Sequence, residues 1–165
     1  MTDVVDKATR SRMMSGIRAS DTKPELVVRS LLHRAGFRFR LRDPQIPGKP
    51  DVILPKYRAV VFVHGCFWHA HACDYFKLPS SNQVFWTEKL KRNLARDGKV
   101  VRELRKANWR VAVVWECATR VRADQIKQLG VALGSWITSL DAKYLEFRGS
   151  KSYGISKRRS TSRAI

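Results

Sequence analysis

The stretch Pro50-Asp-Val-Ile-Leu-Pro-Lys-Tyr-Arg-Ala-Val-Val-Phe-Val-His64-Gly-Cys-Phe-Trp-His-Ala-His-Ala-Cys73 decides how the chain reads. Pro50 to Leu54 is a short apolar strand, and residues 55–58 turn it back. Ala59 to Val63 is an unbroken apolar run, which suits a central strand covered on both faces. Asp51 therefore opens a hairpin whose second strand feeds a loop rich in imidazole and thiol. Three of the four histidines and two of the three cysteines fall between His64 and Cys73. Packing does not ask for that composition. Zinc prefers these ligands, and imidazole also moves protons near neutral pH. Phe67 and Trp68 sit among them, so a metal site, a catalytic site and a stacking wedge can share one loop.

Outward from this core the periodicity changes. Thr22-Lys-Pro-Glu25 predicts a capped helix start with a capping box, and Val27, Val28, Leu31, Leu32 and Ala35 follow at helical spacing up to Gly36. Phe37-Arg-Phe-Arg-Leu-Arg42 alternates like a half-buried strand. Residues 83–107 predict a long helix with Leu90, Leu94, Val101 and Leu104 inward, followed by a strand from Trp109 to Trp115. A last helix spans about 123–140, weakly interrupted by Gly130 and Gly134. The order α-β-β-β-α-β-α implies an α/β fold, one mixed sheet flanked by helices. Residues 1–20 read as a basic arm carrying Met13 and Met14, 21–140 as the domain, and 148–165 as a basic, disordered tail.

The chain has 165 residues and 44% hydrophobic content, enough for one globular domain. No apolar run approaches the ~20 residues of a membrane span, and the N-terminus lacks the apolar core of a signal peptide, so a cytoplasmic protein is expected. Thirty-three Lys and Arg against fourteen Asp and Glu give a net charge of +19. A surface kept merely soluble mixes its signs, so this surplus points to a polyanion, nucleic acid before membrane.

Cys66, His71, Cys73 and Cys117 make a Cys₃His set for a structural Zn²⁺, three ligands from one loop and the fourth from a distant strand end. The competing reading is three inert thiols. Pro50-Asp51 and its hairpin resemble the Pro-Asp…(Asp/Glu)-x-Lys arrangement of restriction-type nucleases, in which Asp51 would hold Mg²⁺ at a scissile phosphate. Here Phe62 stands at the second acid and His64 at the lysine. A Pro-Asp pair alone also marks an ordinary turn.

Thr22-x-Pro-Glu25, Pro47-Gly-x-Pro-Asp51, His64-Gly-Cys-Phe-Trp-His69 with His71 and Cys73, Phe85-Trp86, Lys89…Asn93…Arg96-Asp97, and Trp109-Arg-Val with Trp115-Glu-Cys117 together resemble the very-short-patch repair (Vsr) endonucleases over about residues 5–140. The resemblance implies a restriction-endonuclease-like core with a structural zinc. It implies an enzyme that nicks duplex DNA 5′ to the thymine of a T:G mismatch, such as deamination of 5-methylcytosine leaves, with a 5′-phosphate product. Asp51 would bind Mg²⁺, joined by Val63 through its main chain. His69 would be the general base, His64 would assist at the phosphate, and Glu25 would complete the site. Met14, Phe67 and Trp68 would form an intercalating wedge, and Trp86, Lys89 and Asn93, one helix face by spacing, would read bases. Glu25 as a plain helix cap, His69 as a further zinc ligand and Arg96-Asp97 as a surface pair remain open alternatives. The implied partner is mismatched double-stranded DNA, with other mismatch-repair proteins as further candidates and no membrane. A monomer at the bacterial nucleoid is expected. A non-catalytic zinc DNA-binding module and a same-fold nickase with another target are the competing functions.

Overall fold

The computed structural model describes residues 20–139, 142–150 and 154–158. Met14 and most of the expected N-terminal arm lie outside them. Helix α1 (Lys23–Arg34) starts at Thr22, extended at φ −67° and ψ 156°, with Pro24 in its first turn. The expected capping box does not form, since no side-chain cap bond is made at Thr22. Instead the Thr22 hydroxyl donates to Glu25 Oε1 at 2.8 Å, and Oε2 accepts the Asp21 N–H at 2.9 Å. Arg29, one turn on, draws that buried carboxylate into an ion pair at 2.8 Å. A charged partner holds a buried carboxylate more firmly than a helix terminus does.

Strand β1 (Val52–Leu54), a 3₁₀ turn at Pro55–Tyr57 and strand β2 (Ala59–His64) form the expected hairpin, with Val52 opposite Val61. Helix α2 (Gln83–Lys106) crosses to strand β3 (Arg110–Trp115), which runs parallel to β2 from Ala59↔Arg110 to His64↔Trp115. A short α3 (Glu116–Thr119) and then α4 (Ala123–Thr138) lead to β4 (Tyr144–Ser150), parallel to β3. Strand β5 (Gly154–Arg158) closes the far edge antiparallel, giving the order β1-β2-β3-β4-β5. The fold is α/β with a mixed sheet, as expected, but its strands are partly different ones.

The strand expected over 37–42 is a single bridge, Arg40 with Ile53, while Phe37 and Phe39 still turn into the core. Its alternation registered burial rather than ladder pairing. Within the tail expected to be disordered over 148–165, the described residues carry the end of β4 and β5, and the rest of it lies outside them. Leu145 and Phe147 are buried at 6% and 0% exposure, so they anchor the outer strand that the edge of β3 requires.

Alternate residues of the central strands feed two cores, one on each face. Ala59, Val61, Ala112 and Val114 pack under α1 and α4 with Val28, Leu32, Leu129 and Leu133. Val60, Phe62, Val111 and Val113 pack under α2 with Leu104. Leu94, expected inward, is 46% exposed, because only the C-terminal half of α2 lies over the sheet. Gly130 and Gly134 do not interrupt α4. They let α1 and the segment after it approach, since an added Cβ would sit 3.0 Å from Leu31 Cδ2 at Gly130 and 3.3 Å from Phe37 Cε2 at Gly134. Among the described residues no helix is long and apolar enough to cross a membrane.

Candidate active site and metal centre

Parallel β2 and β3 end side by side at His64 and Trp115, and antiparallel β1 brings its entry residue, Asp51, to the same end of the sheet. The Asp51 N–H donates to Val61 O at 3.1 Å, and its Oδ2 accepts the Val63 N–H at 2.7 Å. A cleft of about 570 Å³ opens there, lined by Asp51, Glu25, Val63, His64, His69 and Asp97. The four side chains expected to be catalytic, two from the hairpin, one from the loop and one from α1, therefore share one cavity.

Burial pushes the Asp51 carboxyl up to about 6, against the Val63 N–H, and the Glu25 carboxylate adds to the rise. A cation would relieve both effects. His64 and His69 stack at 3.8 Å with rings 2° from parallel. Burial, then the neighbouring His69, holds His64 down to about 3, so it is neutral at physiological pH. His69 Nδ1 meets Asp97 Oδ2 at 2.5 Å. Burial alone would raise the Asp97 carboxyl, but that hydrogen bond and the imidazole beside it bring it below its ordinary value. With Nδ1 held by the carboxylate, Nε2 is the nitrogen left to accept a proton.

Arg96, by contrast, is 64% exposed and 3.7 Å from the other Asp97 oxygen. Both line the cleft, and Asp97, 18% exposed, is there more than the partner of Arg96. Sequence spacing gave no sign of this, since 28 residues separate it from His69. Arg29 was also passed over, although Glu25 to Arg29 is the helical i, i+4 ion-pair spacing.

Behind the cleft, Cys66, His71, Cys73 and Cys117 bring their ligand atoms within 4.8 Å of one another. The loop folds back through His71 N–H to Cys66 O at 2.9 Å, with Ala70 left-handed at φ +46°. Cys117 arrives on α3, directly after β3. Its Sγ lies 3.7 Å from His71 Nδ1, close to the edge of about 3.6 Å that tetrahedral zinc imposes between sulfur and nitrogen. Hydrogen bonding from Cys66 favours the Cys117 thiolate against burial, with further help from His71 and the Gly149 N–H. Three thiols and an imidazole, all buried but the half-buried Cys73, suit zinc. Trp115 is the wall between the two centres. It stacks on His71 at 4.1 Å and meets His64 edge-on at 5.5 Å, and its Nε1–H donates to Glu146 at 3.1 Å.

Phe67, Trp68 and Trp86 cluster beside the cleft, with ring centroids 5.1 to 6.2 Å apart. All three are half-buried. Lys89 Nζ lies 5.4 Å from the centroids of both tryptophans. Asn93 Nδ2 donates to Trp68 O at 2.8 Å, so this amide pins the loop and keeps its oxygen and its second N–H for other contacts. Phe85, 52% exposed, extends the aromatic surface.

The family model described as DNA mismatch endonuclease Vsr matches residues 2–75. The DNA mismatch endonuclease Vsr of Escherichia coli (strain K12) is 48% identical over 138 residues, 83% of this chain and 88% of its own length. A Type II nicking enzyme of Neisseria meningitidis serogroup A is 46% identical over 74% of this chain and 88% of its own. Another, from Xanthomonas oryzae pv. oryzae, is 47% identical over 71% and 86% respectively.

Proposed function

Because the chain belongs to the family of the DNA mismatch endonuclease Vsr, we propose that it nicks duplex DNA 5′ to the thymine of a T:G mismatch, leaving a 5′-phosphate. The observation that carries this reading is the single cleft holding Asp51 and the His69–Asp97 pair beside an aromatic cluster. The residues fit Mg²⁺. Asp51 offers a hard oxygen in a site where burial and Glu25 disfavour uncompensated negative charge, and the Val63 carbonyl would be the second protein ligand. When bound, the ion offsets phosphate charge and polarises the attacking water.

The chain's own groups do the rest. His69 Nε2 takes the proton from water, while Asp97 fixes the ring and steadies the imidazolium. Neutral His64, stacked on His69, presents its N–H to the phosphate. Glu25, neutralised by Arg29, sets the field at Asp51 without competing for the phosphate. Phe67, Trp68 and Met14 pry open the step beside the mismatch, where unstacking costs least. Trp86, Lys89 and the remaining oxygen and second N–H of the Asn93 amide face the exposed bases. Cys66, His71, Cys73 and Cys117 would hold zinc, and so tie the wedge loop to α3 at the end of β3. We place this activity in the cytoplasm, in a monomer acting on DNA at the nucleoid.

A second reading, the same nicking chemistry at another mismatch or a restriction-like target, is favoured by relatives named Type II nicking enzymes. Strand-resolved cleavage with Mg²⁺ of duplexes carrying T:G, the other mismatches and T:A decides. Selective nicking at T:G supports the first reading, nicking elsewhere the second, and binding without cleavage defeats both.

A further inference from the structure

At the opposite end of the parallel strands lies a second cavity of about 430 Å³, framed by the 3₁₀ turn, the starts of β3 and β4 and the end of α4. Lys56, Arg58 and Lys143 line it, and no acidic residue does. All three are exposed, and among the described residues none has a carboxylate within ion-pair distance.

Their placement is structural rather than incidental. Arg58 is left-handed at φ 48°, ending the 3₁₀ turn. Its guanidinium lies 4.7 Å from the Trp109 ring centroid and donates one bond to Ala107 O at 2.7 Å. That arrangement fixes the fork while leaving further N–H donors uncommitted. The backbone ties the rim together, since the Arg110 N–H donates to Arg58 O at 2.7 Å and the Val111 N–H to Lys143 O at 2.9 Å. Three cations thus converge from two elements on one concavity. An anion entering there would meet positive charge on every side that carries charge.

We propose that this cavity is a second phosphate-binding site, separate from the cleft and taking a phosphate group with Arg58 as the fixed fork and Lys56 and Lys143 as mobile point charges. A planar guanidinium backed by an aromatic ring and flanked by ammonium groups matches phosphate better than it matches a carboxylate peptide or an apolar ligand. The phosphate has two possible sources, a free phosphate compound or the backbone of a second DNA segment. The site stands whether or not the cleft nicks DNA, because it is read by binding.

Two variants test it, Lys56→Gln/Lys143→Gln, which alters only exposed side chains, and the triple variant with Arg58→Gln. Folding is checked by melting. Inorganic pyrophosphate is titrated by calorimetry, and unmismatched duplex is titrated across a salt series with the cleft already filled by a short mismatched duplex without Mg²⁺. If free phosphate is the source, pyrophosphate affinity falls roughly tenfold or more in the triple variant. If DNA is the source, a second duplex binds the parent, and its log affinity against log salt flattens by about 2 to 3 in the triple variant. In either case nicking at saturating enzyme is unchanged. Parent and variants behaving alike in both arms would overturn the proposal, as would a nicking rate that falls in step with binding.

Discussion

At the scale of single residues, Asp51 holds two consequences at once. Asp51→Asn should lower nicking roughly 10³-fold or more, because the phosphate loses its metal anchor. It should also stabilise the magnesium-free protein. The folded carboxyl sits near 6, above its ordinary 3.8, so folding favours the protonated form. The associated stability is present at pH 4 and lost as pH rises through 6, a change of ~3 kcal/mol. Thermal melts without Mg²⁺, and without chelators that would strip zinc, should place Asp51→Asn above the parent at pH 7.5 and level with it at pH 4. Asp97→Asn should lower single-turnover nicking roughly 10²- to 10⁴-fold with DNA affinity unchanged, since a neutral amide cannot steady the imidazolium and can offer Nδ1 a donor as well as an acceptor, so the tautomer is no longer fixed. Equal turnover would remove Asp97 from proton handling. Asp51, His64 and His69 were legible in the sequence because one hairpin and its loop carry them together. Asp97 was not, because only the crossing of α2 over the sheet brings it to His69.

At the scale of elements, the wedge loop, β3 and α3 are one unit if the four ligands share a metal. Cys117→Ser should release zinc and lower the melting temperature by roughly 5–10 °C. Nicking should fall with it, because His71 and His64 both rest on Trp115. Metal analysis of the purified variant checks the point, and full zinc content would refute the ligand set. The helices and inner strands were readable because apolar period and turn residues agree there. The outer strands were not. Tyr144-Leu-Glu-Phe147 alternates over too few residues, in a stretch whose Lys, Arg and Ser content resembles a solvated tail, and its strand character comes from pairing with β3. The reverse held at Phe37–Arg42, where alternation brought burial but only one bridge.

At the scale of the whole molecule, the place of a truncation matters more than the charge it removes. Deleting 148–165 cuts β4 and takes away the Gly149 N–H that donates to Cys117 Sγ at 3.4 Å. That protein should melt lower and lose zinc more readily. Deleting only 159–165 removes Arg159 and Arg163 and leaves the sheet whole. It should keep its melting temperature and its T:G preference, with a salt slope shallower by at most about 1.8. Melting and salt titration of the two side by side separate tether from architecture. If the shorter deletion erased mismatch preference, the last seven residues would be a reader of the lesion.

The Asp51 carboxylate is steered by the peptide N–H of Val63, 2.7 Å away, and not by a side chain. A peptide N–H survives every replacement but proline. Saturation mutagenesis across the hairpin should therefore give a steep contrast between two touching positions. Column 51 should tolerate nothing, while column 63 accepts any residue that fits its half-buried place and rejects proline. A strict column 63 would mean that the side chain, and not the backbone, had been holding the carboxylate in line.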